Sequence, residues 1–275
     1  LQTTFVADED RRIYLSFFGK GTPYKLMGLI PGERRLLVPD DPNERFYLFG
    51  ADRLGRDMLS RTIFGTRVSM SIGLVGVALS LLLGVLLGGI SGYYGGTIDM
   101  AIQRLVEFVL SLPTIPIWLA LTAALPPGWP PLTRYFAITL ILSLVGWTEL
   151  ARVVRGRFLA LRSEDFVIAA RLDGCSEGRV IFRHMLPSLM SHVIASVTLA
   201  IPVMILAETA LSFLGLGLLP PTISWGVLLK EAQNVRSIAQ APWLFVPGAF
   251  VLLAVLSLNF LGDGLRDAAD PYAQE

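Results

Sequence analysis

From Val68 to Ile90 the chain carries no charged side chain. A run of that kind leaves few choices. About 20 apolar residues cross the hydrocarbon of a bilayer as a helix, and backbone groups in lipid must find partners within their own segment. Four more windows have this character. Ala101 to Leu125 is apolar after a first turn that holds Arg104 and Glu107. Tyr135 to Ala151 carries Glu149 near its end. Met190 to Ser212 contains Glu208, and Trp243 to Asp263 is uncharged until its last residue. A membrane barrel would need alternating strands of about ten residues, and the runs here are continuous. The expected architecture is an all-α, polytopic membrane helical bundle with five spans.

The charges are confined to the remainder. Charged residues make up 16% of the chain, against roughly 25% in an ordinary soluble domain. Twenty of them fall in positions 1–67 and eleven in positions 152–187. The formal net charge of +1 leaves no broad basic surface for nucleic acid. A lone cysteine, Cys175, excludes an internal disulfide and a Cys-based zinc site. His184 and His192 have no clustered carboxylates nearby, so no metal site is expected.

Loop charge sets the orientation. The segment between the third and fourth spans holds Arg152, Arg155, Arg157, Arg162, Arg171, Arg179 and Arg183 against four acids. This places 152–187 in the cytoplasm, together with the 91–100 turn and a tail at 268–275. Residues 1–67 then form an external segment. Long segments escape the positive-inside rule, so their basic residues do not contradict this. An external segment without a visible signal needs delivery, so a sixth span is expected upstream of Leu1. Within the segment, Leu54, Met58, Leu59, Ile63 and Phe64 recur at helical spacing. They predict an amphipathic surface helix over 51–67, started by Asp52.

Gly84 and Gly88 form a G-x-x-x-G pair that favours close packing inside the bundle. Pro113, Pro116 and Pro202 predict kinks. Asp99 with Arg104, and Glu149 with Arg152, are expected as local polar pairs at membrane boundaries. Gly19-Lys20-Gly21-Thr22 lacks the first glycine of a phosphate-binding loop and reads as a turn. Gly89-Ile90-Ser91-Gly92 matches the serine pattern of intramembrane rhomboid proteases, with His192 as candidate base. A small-residue helix end that contains a serine by chance accounts for it better.

The 152–187 segment is the most informative. Ser163-Glu164-Asp165 supplies a helix start, with a capping side chain followed by acids at the positive end of the dipole. Gly174 supplies a stop. A second short helix is expected from Ser176 to about Met185, ended by Pro187. Two short helices joined at a glycine make an L-shaped knob, and small alanines on its face would let another protein sit close.

Ala169-Ala170-Arg171-Leu172-Asp173-Gly174, then Arg179, then His184-Met185-Leu186-Pro187, resembles the EAA loop of ABC importer permeases in composition and spacing. Ile168 stands where the glutamate of the name would be, and His184 where many of these families carry isoleucine. Both departures are typical of the oligopeptide/dipeptide/nickel branch. Further blocks resemble the same branch: Phe49 to Asp57, Gly92-Tyr93-Tyr94-Gly95-Gly96 with Asp99 and Arg104, Glu208 to Gly217 with Pro220-Pro221 and Ser224-Trp225-Gly226, and Asn259 to Asp267. They span positions 49–271, about four fifths of the chain, and resemble the second (C-type) permease of a pair.

The resemblance implies a type I permease domain over 68–267 in a bacterial or archaeal plasma membrane, with the EAA loop as a coupling helix. It implies a homologous second permease, two cytoplasmic ABC ATPases that bind ATP and magnesium, and an extracytoplasmic solute-binding protein. This chain itself would hold no cofactor and catalyse nothing. Ala169, Ala170 and Gly174 are expected to allow close approach to an ATPase. Arg171 and Arg179 are expected to meet acids on it, with His184, Leu186 and Pro187 completing the loop. Peptides are the expected cargo, with nickel or oligosaccharide as alternatives. From another class, a self-sufficient secondary carrier remains as the competing reading. Glu208 is a candidate for the pathway or for a structural hydrogen-bond hub, and the structural role is favoured.

Overall fold

The structure, a computed structural model, describes residues 12–269 except 27–28, 36, 42–43 and 235–238. The expected tail at 268–275 lies outside the described residues from 270 onward. Helix dominates. Among the described residues four helices are long and apolar enough to cross a membrane, or five spans if one bent pair is counted as one.

The first, α1 (Met58–Tyr94), is longer than any bilayer requires. It corrects the expected surface helix over 51–67. The helix starts at Met58, and its first turns are the N-terminal end of the membrane helix itself. The Asp57 side chain accepts from the Ser60 N–H at 3.0 Å and is the cap. No proline or glycine pair separates Arg67 from Val68, so nothing ends the helix there.

The Asp52 carboxylate, expected as that cap, holds a turn instead. It accepts from the backbone N–H groups of Leu54 and Arg56, each at 2.9 Å. It also accepts from the Arg56 Nε at 2.7 Å and from Arg61. The Trp243 indole N–H donates to the Ala51 carbonyl at 2.8 Å and ties this turn to the start of the last span. Gly50, at φ +65, lies against the same indole, where a Cβ would sit 2.6 Å from the ring. Burial alone would raise the Asp52 carboxyl; the bonds from Arg56 and Leu54 and the charge of Arg61 outweigh it and hold the group below the usual range. A carboxyl depressed in the folded state contributes its full stability above its unfolded value, about 3.9. That contribution is lost as pH falls through the lower folded value. We therefore expect Asp52→Asn to reduce the thermal stability of purified protein at pH 7, and the gap from the native protein to close below about pH 4. A gap of constant size down to pH 3 would contradict this.

The α4 helix (Pro131–Leu161) packs along α1. The contact depends on glycine. A Cβ at Gly84 would lie 2.9 Å from the Leu150 Cβ, at Gly88 2.4 Å from the Ala151 carbonyl oxygen, and at Gly92 2.5 Å from the Phe158 Cβ. The expected G-x-x-x-G packing is thus intramolecular and extends one step further, to Gly92. Ser143 adds a bond across the seam, its hydroxyl donating to the Gly76 carbonyl at 3.0 Å.

The second expected span is a broken one. Here α2 (Gly96–Ser111) and α3 (Thr114–Ala123) meet at 83°. Pro113 lacks an N–H and forces Leu112 into extended backbone, at φ −89 and ψ 134. Pro116 falls in the first turn of α3, where a missing N–H costs nothing. By contrast, α8 (Met190–Phe213) continues as helix through Pro202. The last span is α10 (Val246–Ala269), entered by a 3-10 turn at Pro242–Phe245.

Two small antiparallel pairs precede the helices, and Gly19-Lys20-Gly21-Thr22, expected as a turn, runs into a strand from Lys20 onward. Strands β1 (Leu15–Phe17) and β4 (Leu37–Pro39) pair around β2 (Lys20–Leu26) and β3 (Ile30–Arg34).

Candidate functional site

Two places carry functional side chains: the knob after α4, and a cavity between helices.

The α4 helix runs ten residues into the segment expected to be a loop, as far as Leu161. After it comes α5 (Asp165–Leu172), with Glu164 as its cap residue. The expected Ser163 cap does not form. Its hydroxyl donates back to the Ala160 carbonyl at 3.0 Å. Gly174 turns the chain at φ +76, a conformation that costs glycine little. The second arm comprises α6 (Glu177–Arg179), a π-helical stretch over Val180–Met185, and α7 (Leu186–Ser188). Pro187 was expected to end this arm. The helical path instead passes through it, because Pro187 lies in the first turn of α7, where a missing N–H costs nothing.

Burial divides the candidate residues. Val167 and Ala170, three apart on one face of α5, are buried with Val180, Met185 and Leu189 against Tyr93, Leu150, Val154 and Phe158. Ala170 therefore anchors the knob to α1 and α4, and cannot form the docking face expected of it. Ala169, Arg171, Gly174, Arg179 and Pro187 are exposed, while His184 and Leu186 are half-buried. The outer surface is apolar, with Phe166, Ile168, Leu172 and Phe182 exposed, Leu172 at 82% and Phe182 at 63%.

Polar contacts strap the knob to the C-terminal end of α1. The Arg171 guanidinium stacks over the Tyr93 ring at 5.0 Å. The Tyr94 hydroxyl donates to Glu177 at 2.9 Å. Nearby, Arg155 of α4 donates to both oxygens of Asp99 at 2.5 and 2.6 Å. This corrects the expected Asp99–Arg104 pair; Arg104 instead donates to Glu107 at 3.0 Å. Ser91 donates to the same Asp99 and accepts from Gln103 at 3.1 Å, while His192 bonds Arg157. Serine and histidine thus have separate partners, and the protease reading has no geometry to support it.

Glu208 is fully buried. Three serines surround it, and each accepts a backbone N–H. Ser69 accepts from Trp225 at 3.0 Å, Ser212 from Leu218 at 2.9 Å, and Ser224 from Val227 at 3.3 Å. Each hydroxyl proton is thereby free to point at Glu208, at 3.4, 2.7 and 2.9 Å respectively. The carboxyl joins α1, α8, the 214–224 loop and α9 (Trp225–Leu229). This is the structural arrangement. We expect Glu208→Ala to leave three unsatisfied hydroxyls and to cost about 3 kcal/mol or more. Glu208→Gln keeps an accepting oxygen for Ser212 and Ser224 and is expected to retain most of the assembled protein in detergent. An alanine variant as stable as the native chain would contradict the hub.

A cavity of about 540 Å³ opens between α1, α3, α4 and α8. Its lining is mostly apolar, with Ser80, Thr114, Thr148 and Ser196 among its polar members. Glu149 also lines it, and the expected Glu149–Arg152 pair is absent among the described contacts. The signal for Glu149 was available as an i, i+4, i+8 stripe of Val145, Glu149 and Val153, but only the fold shows that this stripe faces a cavity.

A family model described as "Binding-protein-dependent transport system inner membrane component" matches residues 84–274. The chain belongs to this family. It is 36% identical over 237 residues to the oligopeptide transport system permease protein OppC of Bacillus subtilis (strain 168), covering 86% of this chain and 75% of that protein. Against the dipeptide transport system permease protein DppC of the same strain it is 37% identical, covering 84% and 70%. In fold it is similar to a chain of the MetNI methionine ABC transporter in an inward-facing conformation, with a TM-score of 0.60, 15% identity, and coverage of 78% and 98%. A chain from an amino acid ABC transporter gives a TM-score of 0.56 at 14% identity, with coverage of 76% and 94%.

Proposed function

We propose that this permease imports peptides as one half of the membrane pathway of an ATP-driven importer. The names of its relatives support the cargo. The exposed apolar ridge of Phe166, Ile168, Leu172 and Phe182, on a knob strapped to α1 and α4, supports the coupling role. In this reading the ridge lies in a groove on a cytoplasmic ABC ATPase. Two such ATPases supply ATP and magnesium chemistry, a homologous permease supplies the other half of the pathway, and an extracytoplasmic binding protein delivers the solute. ATPase closure pushes the knob. The Arg171–Tyr93 and Glu177–Tyr94 contacts pass the push to α1, and Asp99–Arg155 holds α2 to α4 so that the bundle moves as a body. A ligand-biased two-state element of this kind is the minimum for coupled transport.

The orientation in this reading puts 152–187 in the cytoplasm and the β1–β4 segment outside, in a bacterial or archaeal plasma membrane. Co-purification tests the assembly. Tagged permease solubilised in mild detergent is expected to bring two ATPase subunits and a second permease with it. Recovery of this chain alone, monodisperse and active in transport, would favour a self-sufficient carrier.

A further inference from the structure

We propose that Glu149 is the solute-recognising group of this permease's half-pathway, taking an ammonium group of the peptide in transit. The inference rests on the peptide reading above and adds the residue that reads the cargo.

The cavity beside α4 carries the argument. Among the described residues that line it, Glu149 is the one ionisable group. Its neighbours along the helix face are Val145 and Val153, and across the cavity stand Leu199, Val203 and Met204. Glu149 is itself exposed, so its carboxylate is accessible to a solute that enters the cavity. Glu149 has no ion-pair or hydrogen-bond partner among the described residues, and Arg152, on the same helix, does not reach it. Three other carboxylates of the bundle are engaged: Asp99 by Arg155 and Ser91, Glu107 by Arg104, and Glu208 by three serines. Glu149, unpaired, lines the cavity of about 540 Å³.

The surroundings suit an ammonium group. Ser80, Thr114, Thr148 and Ser196 offer hydroxyl oxygens to accept its remaining protons, and Gly146 lets α4 lie close to Ser80, where a Cβ would sit 2.9 Å from the hydroxyl. The volume, about 540 Å³, suits a short peptide rather than a bare metal ion, which a single carboxylate would hold poorly. An ammonium arrives from two sources, the peptide N-terminus or a lysine side chain, and the chemistry of recognition is the same for both.

The test uses the complete transporter, this chain with its permease partner, ATPases and binding protein, in proteoliposomes. Uptake of tri-alanine, N-acetyl-tri-alanine and N-acetyl-Ala-Lys-Ala is compared for the native protein, Glu149→Gln and Glu149→Asp. Tri-alanine uptake is expected to fall about tenfold in Glu149→Gln, the effect of losing one charge-assisted contact, and to stay within about threefold of native in Glu149→Asp. N-acetyl-tri-alanine uptake is expected to be the same in the native protein and Glu149→Gln. A loss on N-acetyl-Ala-Lys-Ala as well assigns Glu149 to any ammonium, and its absence assigns it to the N-terminus. Tri-alanine uptake by Glu149→Gln at the native rate would overturn the proposal, as would an equal loss with both tri-alanine and its acetylated form. A native transporter that imports none of the three peptides while hydrolysing ATP would overturn the peptide reading itself, and this assignment with it.

Discussion

Gly88→Leu is expected to abolish recovery of folded protein. A Cβ at Gly88 would sit 2.4 Å from the Ala151 carbonyl oxygen and 2.9 Å from the Ala151 Cα. Both are backbone atoms, so no side chain can swing aside to admit it. Opening the seam would also separate Gly84 from Leu150 and Gly92 from Phe158, and would pull Ser143 from the Gly76 carbonyl. Overpacking a tight interface costs about 1–3 kcal/mol even where side chains can yield, and here they cannot. Gly156→Leu is the control, because a Cβ at Gly156 meets nothing within 4 Å. Fluorescence-detected size exclusion of detergent extracts should show a monodisperse peak for Gly156→Leu and little or none for Gly88→Leu. Equal peaks would mean that the seam between α1 and α4 is not as close as the structure has it.

The second large effect falls on the knob and leaves the fold intact. Leu172 and Phe182 are 82% and 63% exposed, so neither contributes much to folding of this chain alone. Leu172→Asp with Phe182→Asp should therefore give normal yield and a normal size-exclusion peak. If the ridge sits in an ATPase groove, the same pair buries two carboxylates against apolar surface. Truncating a central apolar anchor typically costs about 2–4 kcal/mol in binding, and a buried unpaired charge costs more. ATPase subunits should be lost during purification, and ATP-driven uptake should fall by about a hundredfold. Retained ATPases at native stoichiometry would move the docking surface elsewhere.

The helical bundle was legible in the sequence because lipid imposes one rule on every residue of a span. A charge-free run such as Val68–Ile90 has no alternative to helix. Pro113 was legible as an interruption, but not its 83° consequence, which depends on how α2 and α3 each pack against α4. The knob was legible in outline from Gly174. Its inner and outer faces were not, because a run such as Ala169-Ala170 does not say which alanine meets Phe158 and which meets solvent. Contacts between distant residues were the least accessible. Asp99 has a plausible arginine five residues away and takes Arg155 instead, since the turn at Gly95–Gly96 carries α2 back across α4. Asp52 and Asp57 compete for one cap, and the pattern of residues favours neither; the bonds Asp52 makes to Arg56 and Arg61 decide it. Strands β1 to β4 left no signal strong enough to separate them from an irregular segment.

Uptake against a gradient separates an ABC permease from a self-sufficient carrier more directly than any substitution. The purified chain is reconstituted alone, and again with its second permease, ATPases and binding protein, and labelled tri-alanine is followed into the vesicles. Accumulation above the external concentration is predicted only for the complete set, and only with ATP and binding protein both present. Entry of the peptide into vesicles that hold this chain alone, with no ATPase and no ATP, would contradict the account.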